Sequence, residues 1–271
     1  MGFEIPRSGG PLARVFALLT VLFAAWSAYA LWTTSLPPLA ADRGRIDSAI
    51  TLNLVISGIV FLGAHAALAL ALVRRPREAR IPRESVRVEV LWTALTAIVL
   101  SGLLVKSQID VRALSADRED VSGAGPVVVE VVAQQFAWNF RLPGEDGIFG
   151  RTDPRLVDQA ELNFIGLDKK DPASEDDRIL PQGLLILPAG REVRVRLRSM
   201  DVIHSFFVAS FRVKRDAMPG LAGEFSFTPT IPGTFELACA EHCGLGHYRM
   251  RGLIEVVPQG EWASRVKEVT P

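Results

Sequence analysis

Cys239-Ala240-Glu241-His242-Cys243-Gly244-Leu245-Gly246-His247-Tyr248-Arg249-Met250 places two thiols, a thioether and two imidazoles within one short stretch. Soft donors at this density select a transition metal over a hard cation. The chain holds no other cysteine. A further imidazole, His204, stands upstream in Asp201-Val202-Ile203-His204-Ser205-Phe206, so two separate loops would close one site. A Cys239–Cys243 disulfide is the plain alternative in an oxidising compartment, but it gives no reason for His247 and Met250 to follow at this spacing. The chain contains no Cys-x-x-Cys-His, the signature of covalently attached c-type haem.

Outward from this stretch, composition separates the chain into two halves. Of 271 residues 49% are apolar, and they gather in the first hundred or so positions, where three runs are candidates to cross a bilayer. Acidic and basic residues balance at 30 each, which argues against nucleic acid as a partner. Val15 to Trp32 is uncharged and follows a short basic start with Arg7 and Arg14. It reads as a signal peptide or as an extra spanning helix; its length and the placing of Trp26, Tyr29 and Trp32 favour a retained helix. Ile50 to Val73 is a second span, with His65 expected to face a partner helix. Arg74 to Arg87 carries six arginines and by the positive-inside rule faces the cytoplasm. Val88 to Val105 then returns the chain to the outside, so everything beyond Lys106 is expected in the periplasm or its equivalent.

The expected organisation is a signal peptide or extra helix over 1–45, a transmembrane hairpin over 46–108, a linker over 109–125, a β-domain over 126–258 and a charged tail over 259–271. Short segments bounded by Gly and Pro mark the strands: Val127 to Phe140, Leu184 to Leu187, Val193 to Ser199, Ser205 to Val208, Gly223 to Thr228, Gly233 to Ala238 and Gly252 to Val257. An insertion over 143–178 interrupts them. Ten acidic residues against four basic ones lie between Pro143 and Asp177, as a solvated loop or as a docking surface for a basic protein. Their spacing does not fit a calcium-binding EF-hand loop.

Three metal centres suit the donors. Structural zinc would use Cys239, Cys243, His247 and His204 but leave Met250 without a purpose. A single blue-copper ion would leave one cysteine idle. A binuclear copper centre uses both thiols, both imidazoles and the thioether.

Cys-x-Glu-x-Cys-Gly-x-x-His-x-x-Met, preceded by Asp201-Val-Ile-His204-Ser and followed by a short strand, resembles the CuA motif of the cytochrome c oxidase subunit II family. Lys214-Arg-Asp216-Ala-Met-Pro219-Gly220 and Pro232-Gly233 are also similar to that family, and the likeness runs over roughly Ile50 to Val257. It implies a membrane-anchored all-β protein: a two-helix hairpin, with a third helix or signal peptide ahead of it, then a cupredoxin-like Greek-key β-sandwich or barrel. Cys239 and Cys243 would be bridging thiolates, His204 and His247 terminal imidazoles, Met250 the axial thioether and Glu241 a carbonyl ligand. Glu241 would also reach a magnesium ion shared with subunit I, while His242 falls at a variable position. Gln135-Phe136-Ala-Trp138-Asn-Phe140 is similar to the aromatic segment through which electrons enter, although Phe136 stands where the family carries tryptophan. Glu89 resembles a glutamate at the mouth of a proton channel in subunit I.

The implied function is the electron-transfer subunit of a proton-translocating haem-copper oxidase in the cell (inner, cytoplasmic) membrane. Its expected partners are subunit I and other oxidase subunits, membrane lipid, and cytochrome c or a small copper protein as donor. Oxygen chemistry belongs to the partner subunit. The alternatives are the CuA subunit of a nitric oxide reductase and a membrane-tethered copper-delivery protein.

Overall fold

The computed structural model describes residues 11–33, 36–73, 85–115 and 125–270. The expectations for the basic start at Arg7, for most of the arginine loop and for the middle of the linker lie outside them.

The chain forms two compact units. The first holds three helices: α1 (Pro11–Thr33), α2 (Gly44–Val73) and most of α3 (Val86–Ser115). Two stretches, Gly44–Ala71 in α2 and Val86–Ala113 in α3, are long and apolar enough to cross a membrane, whereas the apolar stretch of α1 is shorter, Arg14–Ala30. Phe23 of α1 lies against Phe61 of α2 with ring centroids 5.7 Å apart. His65 donates from Nδ1 to the Phe61 carbonyl (2.8 Å), one turn back in its own helix. Helix α3 continues ten residues past the apolar run, replacing the start of the expected linker. Its extension is held by Lys106 paired with Asp110 one turn on, and by Arg45 of α2, 3.7 Å from the same carboxylate. Glu89 is exposed in the first turn of α3.

The second unit is a sandwich of two five-stranded sheets. One has the order β3-β2-β1-β5-β8 and the other β4-β10-β9-β6-β7. The strands are β1 (Val127–Gln134), β2 (Ala137–Leu142), β3 (Arg178–Ile179), β4 (Leu184–Pro188), β5 (Val193–Ser199), β6 (His204–Val208), β7 (Val213–Ala217), β8 (Gly223–Phe227), β9 (Gly233–Cys239) and β10 (Arg251–Val257). β5 alternates as a half-exposed strand should: Val193, Val195 and Leu197 point into the core and Arg194 and Arg196 out. Aromatic rings fill the space between the sheets. Trp138 sits edge-on to Phe206 at 5.9 Å, and Phe206, Phe225, Phe227, Phe211 and Phe235 follow in contact.

The expected single strand Val127 to Phe140 is a hairpin, turning at Gln135-Phe136. β1 is buried on both faces. Val129 and Val131 enter the main core, while Val132 on the other face meets Ile165 and Leu167 of the acidic insertion. The insertion is therefore a folded cover rather than a solvated loop. It carries two single-turn helices, Pro154–Leu156 and Pro172–Ser174, each started by an aspartate whose side chain accepts a backbone N–H.

A buried ionic network joins the cover to the sheet. Arg141 is 2% exposed and donates to Glu130, its cross-strand neighbour (2.7 Å), to Asp177 (2.8 Å) and to the Gly150 carbonyl (2.8 Å). Arg198 adds a second cation to Glu130 at 3.2 Å.

Two further differences concern the ends of the β-domain. Residues 37–44, expected with the first helix, belong to the sandwich. Ala40 and Ala41 are buried, Ala40 donates to the Ser210 carbonyl and accepts from Thr230, and Ala41 bridges to Pro229. The expected peripheral tail contains α4 (Trp262–Val269), which buries Val266 and ties its Trp262 indole N–H to the Ile186 carbonyl at 3.0 Å.

Removing one member of a buried ion network leaves uncompensated charge, at a cost of about 3–5 kcal/mol. Arg141→Met should therefore lower the denaturant midpoint of the sheet signal in circular dichroism of the detergent-solubilised chain, and expose the insertion to protease. An unchanged midpoint would mean the network does not hold the cover.

Candidate metal centre

The β5–β6 and β9–β10 connections meet at one end of the sandwich, because β6 pairs directly with β9, Phe206 lying opposite Cys239. Short hydrogen bonds fix the two loops to each other. Ala240 donates to the Ser205 carbonyl (3.1 Å) and Cys239 to the Met250 carbonyl (3.2 Å). The turn between β1 and β2 closes the third side.

Five side-chain donors expected from the sequence converge. His204, Cys239 and Cys243 are buried and offer ligand atoms within 4.8 Å of one another. The Cys239 and Cys243 sulfurs are 3.8 Å apart. His204 Nδ1 lies 3.9 Å from Cys239 Sγ and 3.1 Å from Met250 Sδ, and Met250 Sδ is 3.7 Å from Cys243 Sγ. His247 approaches from the other side, its Nδ1 3.6 Å from Cys243 Sγ. The thiols thus stand between two imidazoles. The Glu241 carbonyl faces Cys239 Sγ at 3.2 Å. Its carboxylate points away, 44% exposed and 2.9 Å from Lys214. His242 is exposed, its ring only leaning on that of His247 at 5.5 Å.

Asp201 orients His204. Its Oδ1 accepts from His204 Nε2 at 2.8 Å, which puts the ring proton on Nε2 and turns the Nδ1 lone pair to the sulfurs. The same carboxylate accepts the Gln135 backbone N–H (2.6 Å) and the Val202 N–H (2.7 Å). Burial pushes the Asp201 carboxyl up, but these hydrogen bonds outweigh it and hold the group below the usual range. Gln135 completes the link by donating its side-chain amide to the Cys243 carbonyl at 2.6 Å. Asp201 and Gln135 lie within the sequence motifs, but the motif alone assigns neither a role. The available signal was an aspartate three residues before a ligand-type histidine.

Burial first, then the neighbouring Cys239, pushes the Cys243 thiol up to about 11. The metal-free Cys243 thiol is thus protonated at neutral pH and releases its proton when a cation binds. Two thiols, two imidazoles and a thioether, mostly shielded from water, fit copper, and the thioether is a poor zinc donor.

Phe136 and Trp138 have different environments. Trp138 is fully buried, edge-on to His204 at 6.3 Å, and its indole N–H has no partner among the described residues. The Phe136 ring is half-buried and lies on the ligand loop, where a Cβ at Gly246 would come within 2.4 Å of it. Gly244 of the same loop has φ +130°, a conformation other residues rarely adopt. Glu89 lies in the helical unit, outside this constellation.

Residues 127–257 match the family described as cytochrome c oxidase subunit II, periplasmic domain. The alternative cytochrome c oxidase subunit 2 of Bradyrhizobium diazoefficiens is 34% identical over 261 residues, covering 93% of this chain and 87% of the relative. A probable cytochrome c oxidase subunit 2 of Streptomyces avermitilis is 33% identical over 199 residues, covering 69% of this chain and 61% of that protein. Among solved structures, the periplasmic domain of subunit II of cytochrome oxidase from Bradyrhizobium japonicum has 28% sequence identity and a TM-score of 0.38, covering 53% of this chain and 92% of that one. On the strength of the Bradyrhizobium diazoefficiens relative, matched over nearly its whole length, the chain belongs to the cytochrome c oxidase subunit II family.

Proposed function

We propose that this chain is the electron-accepting subunit of a haem-copper terminal oxidase, taking single electrons from cytochrome c or a similar soluble donor at a binuclear CuA centre and passing them to haem in subunit I. The observation that carries the reading is the pair of thiols 3.8 Å apart with an imidazole beside each. Cys239 and Cys243 would bridge two copper ions, His204 and His247 would cap them, and Met250 and the Glu241 carbonyl would be weak axial ligands. Copper held there supplies a one-electron redox couple.

The protein's own part is to fix the ligands before and after transfer. Asp201 holds His204, Gln135 holds the Cys243 carbonyl, and Phe136 covers the loop. A rigid ligand set lowers the rearrangement that accompanies gain of an electron. Burial of His204, Cys239, Cys243 and Met250 also disfavours the copper-delivery alternative, which needs exchangeable, accessible ligands.

The proposal includes a multi-pass protein of the cell (inner) membrane, anchored by α2 and α3, with the sandwich on the periplasmic side. Electrons would enter at Phe136 and continue past Trp138, which touches the His204 side of the site. The Glu241 carboxylate would leave Lys214 to reach magnesium at the subunit I interface, and Glu89 would stand at the proton-channel mouth.

Cys243→Ser in the assembled complex should abolish electron transfer from the soluble donor to haem, while the haem spectrum stays that of the parent. Unimpaired transfer, followed by stopped-flow absorbance, would remove the bridging role. Met250→Leu should keep two coppers per chain by elemental analysis and shift the midpoint potential; a lost copper or an unmoved potential would contradict the axial role. Glu241→Gln should lower magnesium content and leave copper at two, whereas unchanged magnesium would exclude Glu241 from that site.

A further inference from the structure

The ligands of the metal centre are covered, so an ion reaches them only when part of the cover moves. Cys243 is 3% exposed and Met250 1%, whereas Leu245 and Tyr248, on the crest of the segment between them, are 96% and 81% exposed. The crest thus has water on one side and ligand side chains on the other.

Few bonds tie this crest down. Its two ends belong to the sheet: Ala240 donates to the Ser205 carbonyl, and Cys239 to the carbonyl of Met250, where β10 follows. Between the ends, His247, Arg249 and Met250 donate within the segment itself, to the carbonyls of Gly244, Gly246 and His247. Among the described residues, Gln135 is the one residue outside 239–250 that hydrogen-bonds into 242–249, its side-chain amide donating to the Cys243 carbonyl at 2.6 Å.

Packing is close at the same point. A Cβ at Gly244 would stand 2.9 Å from Gln135 Nε2 and 3.2 Å from the Phe136 ring, and one at Gly246 would stand 2.4 Å from that ring. The Arg249 guanidinium lies 6.0 Å from the centroid of the same ring. Gln135 is held by its backbone N–H, which donates to Asp201 at 2.6 Å, so the donor stays with the β1–β2 turn. Gln135 is nevertheless exposed, and water competes there for the Cys243 carbonyl.

We infer that Gln135 and Phe136 form a latch on the ligand loop, and that release of the Gln135–Cys243 hydrogen bond opens the site for copper to enter or leave. The occupant rests on the copper reading above, whereas the latch belongs to the metal-free chain as well. A segment with few ties and an exposed hydrogen bond opens locally at lower cost than the whole domain. The pairing of β6 with β9 and the Arg141 network stay closed meanwhile.

Cys239 and Cys243 are the only cysteines of the chain, so thiol labelling reads this opening directly. The test uses the detergent-solubilised full chain, each variant first shown to keep the parent's circular dichroism. In the metal-free form, the rate of N-ethylmaleimide labelling is followed by mass; in the copper-loaded form, copper release to bathocuproine disulfonate with ascorbate is followed by absorbance. Gln135→Met keeps the length of the side chain and removes the donor, and should speed both rates about fivefold, as loss of one hydrogen bond of ordinary strength would. Gln135→Glu sets an acceptor against the Cys243 carbonyl and should speed them further. Arg141→Met, which loosens the sandwich away from the loop, should leave both rates near the parent's. Labelling that is unchanged in both Gln135 variants, or that Arg141→Met speeds equally, overturns the latch. Faster labelling without faster copper release overturns the exchange route and leaves the copper reading standing. A chain that takes up no copper overturns the function proposed above, while the labelling ratios still decide the latch.

Discussion

The carboxylate of Asp201 is the interaction on which the site depends. It receives the Nε2 proton of His204 from one loop and the backbone N–H of Gln135 from the β1–β2 turn, while Gln135 in turn holds the Cys243 carbonyl on the ligand loop. Three segments distant in sequence are thereby fixed around two sulfurs 3.8 Å apart. A charged acceptor makes each of these bonds stronger than a neutral one would. It also settles the histidine tautomer, so the Nδ1 lone pair faces the thiols.

The scaffold beneath explains why that geometry is stiff. His204 starts β6, and Cys239 ends the neighbouring β9, so the ligands are extensions of paired strands rather than of free loops. Trp138 and the phenylalanine series behind it fill the sandwich directly under His204. The second cover, over the outer face of β1, comes from the acidic insertion, whose Ile165 and Leu167 meet Val132 and whose Asp177 meets the buried Arg141. Several of its carboxylates are thus structural, Asp177 on Arg141 and Asp168 and Asp171 on Arg151.

Much of this was legible in the sequence, for identifiable reasons. Soft donors at short spacing name a site by chemistry alone, and hydropathy marks α2 and α3 because a bilayer requires long uncharged runs. Most strands show themselves between Gly and Pro. The turn at Gln135-Phe136 was hidden because β1 is buried on both faces, so its apolar residues do not alternate, and no Gly or Pro marks the corner. β7 carries no apolar alternation to mark it, since Lys214, Arg215 and Asp216 form an edge strand exposed along its middle. The 37–44 segment and α4 bury only a few side chains each, through backbone hydrogen bonds and a single indole N–H that no periodicity reveals.

The central claim is that Cys239 and Cys243 are shared by two coppers between two imidazoles. Electron paramagnetic resonance of the purified, copper-loaded chain, taken with its copper content, bears on it most directly. Two coppers per chain carrying one unpaired electron, with hyperfine splitting from both nuclei, is the expected result. One copper per chain with coupling to a single nucleus, or a site filled by zinc in preference to copper, would contradict it.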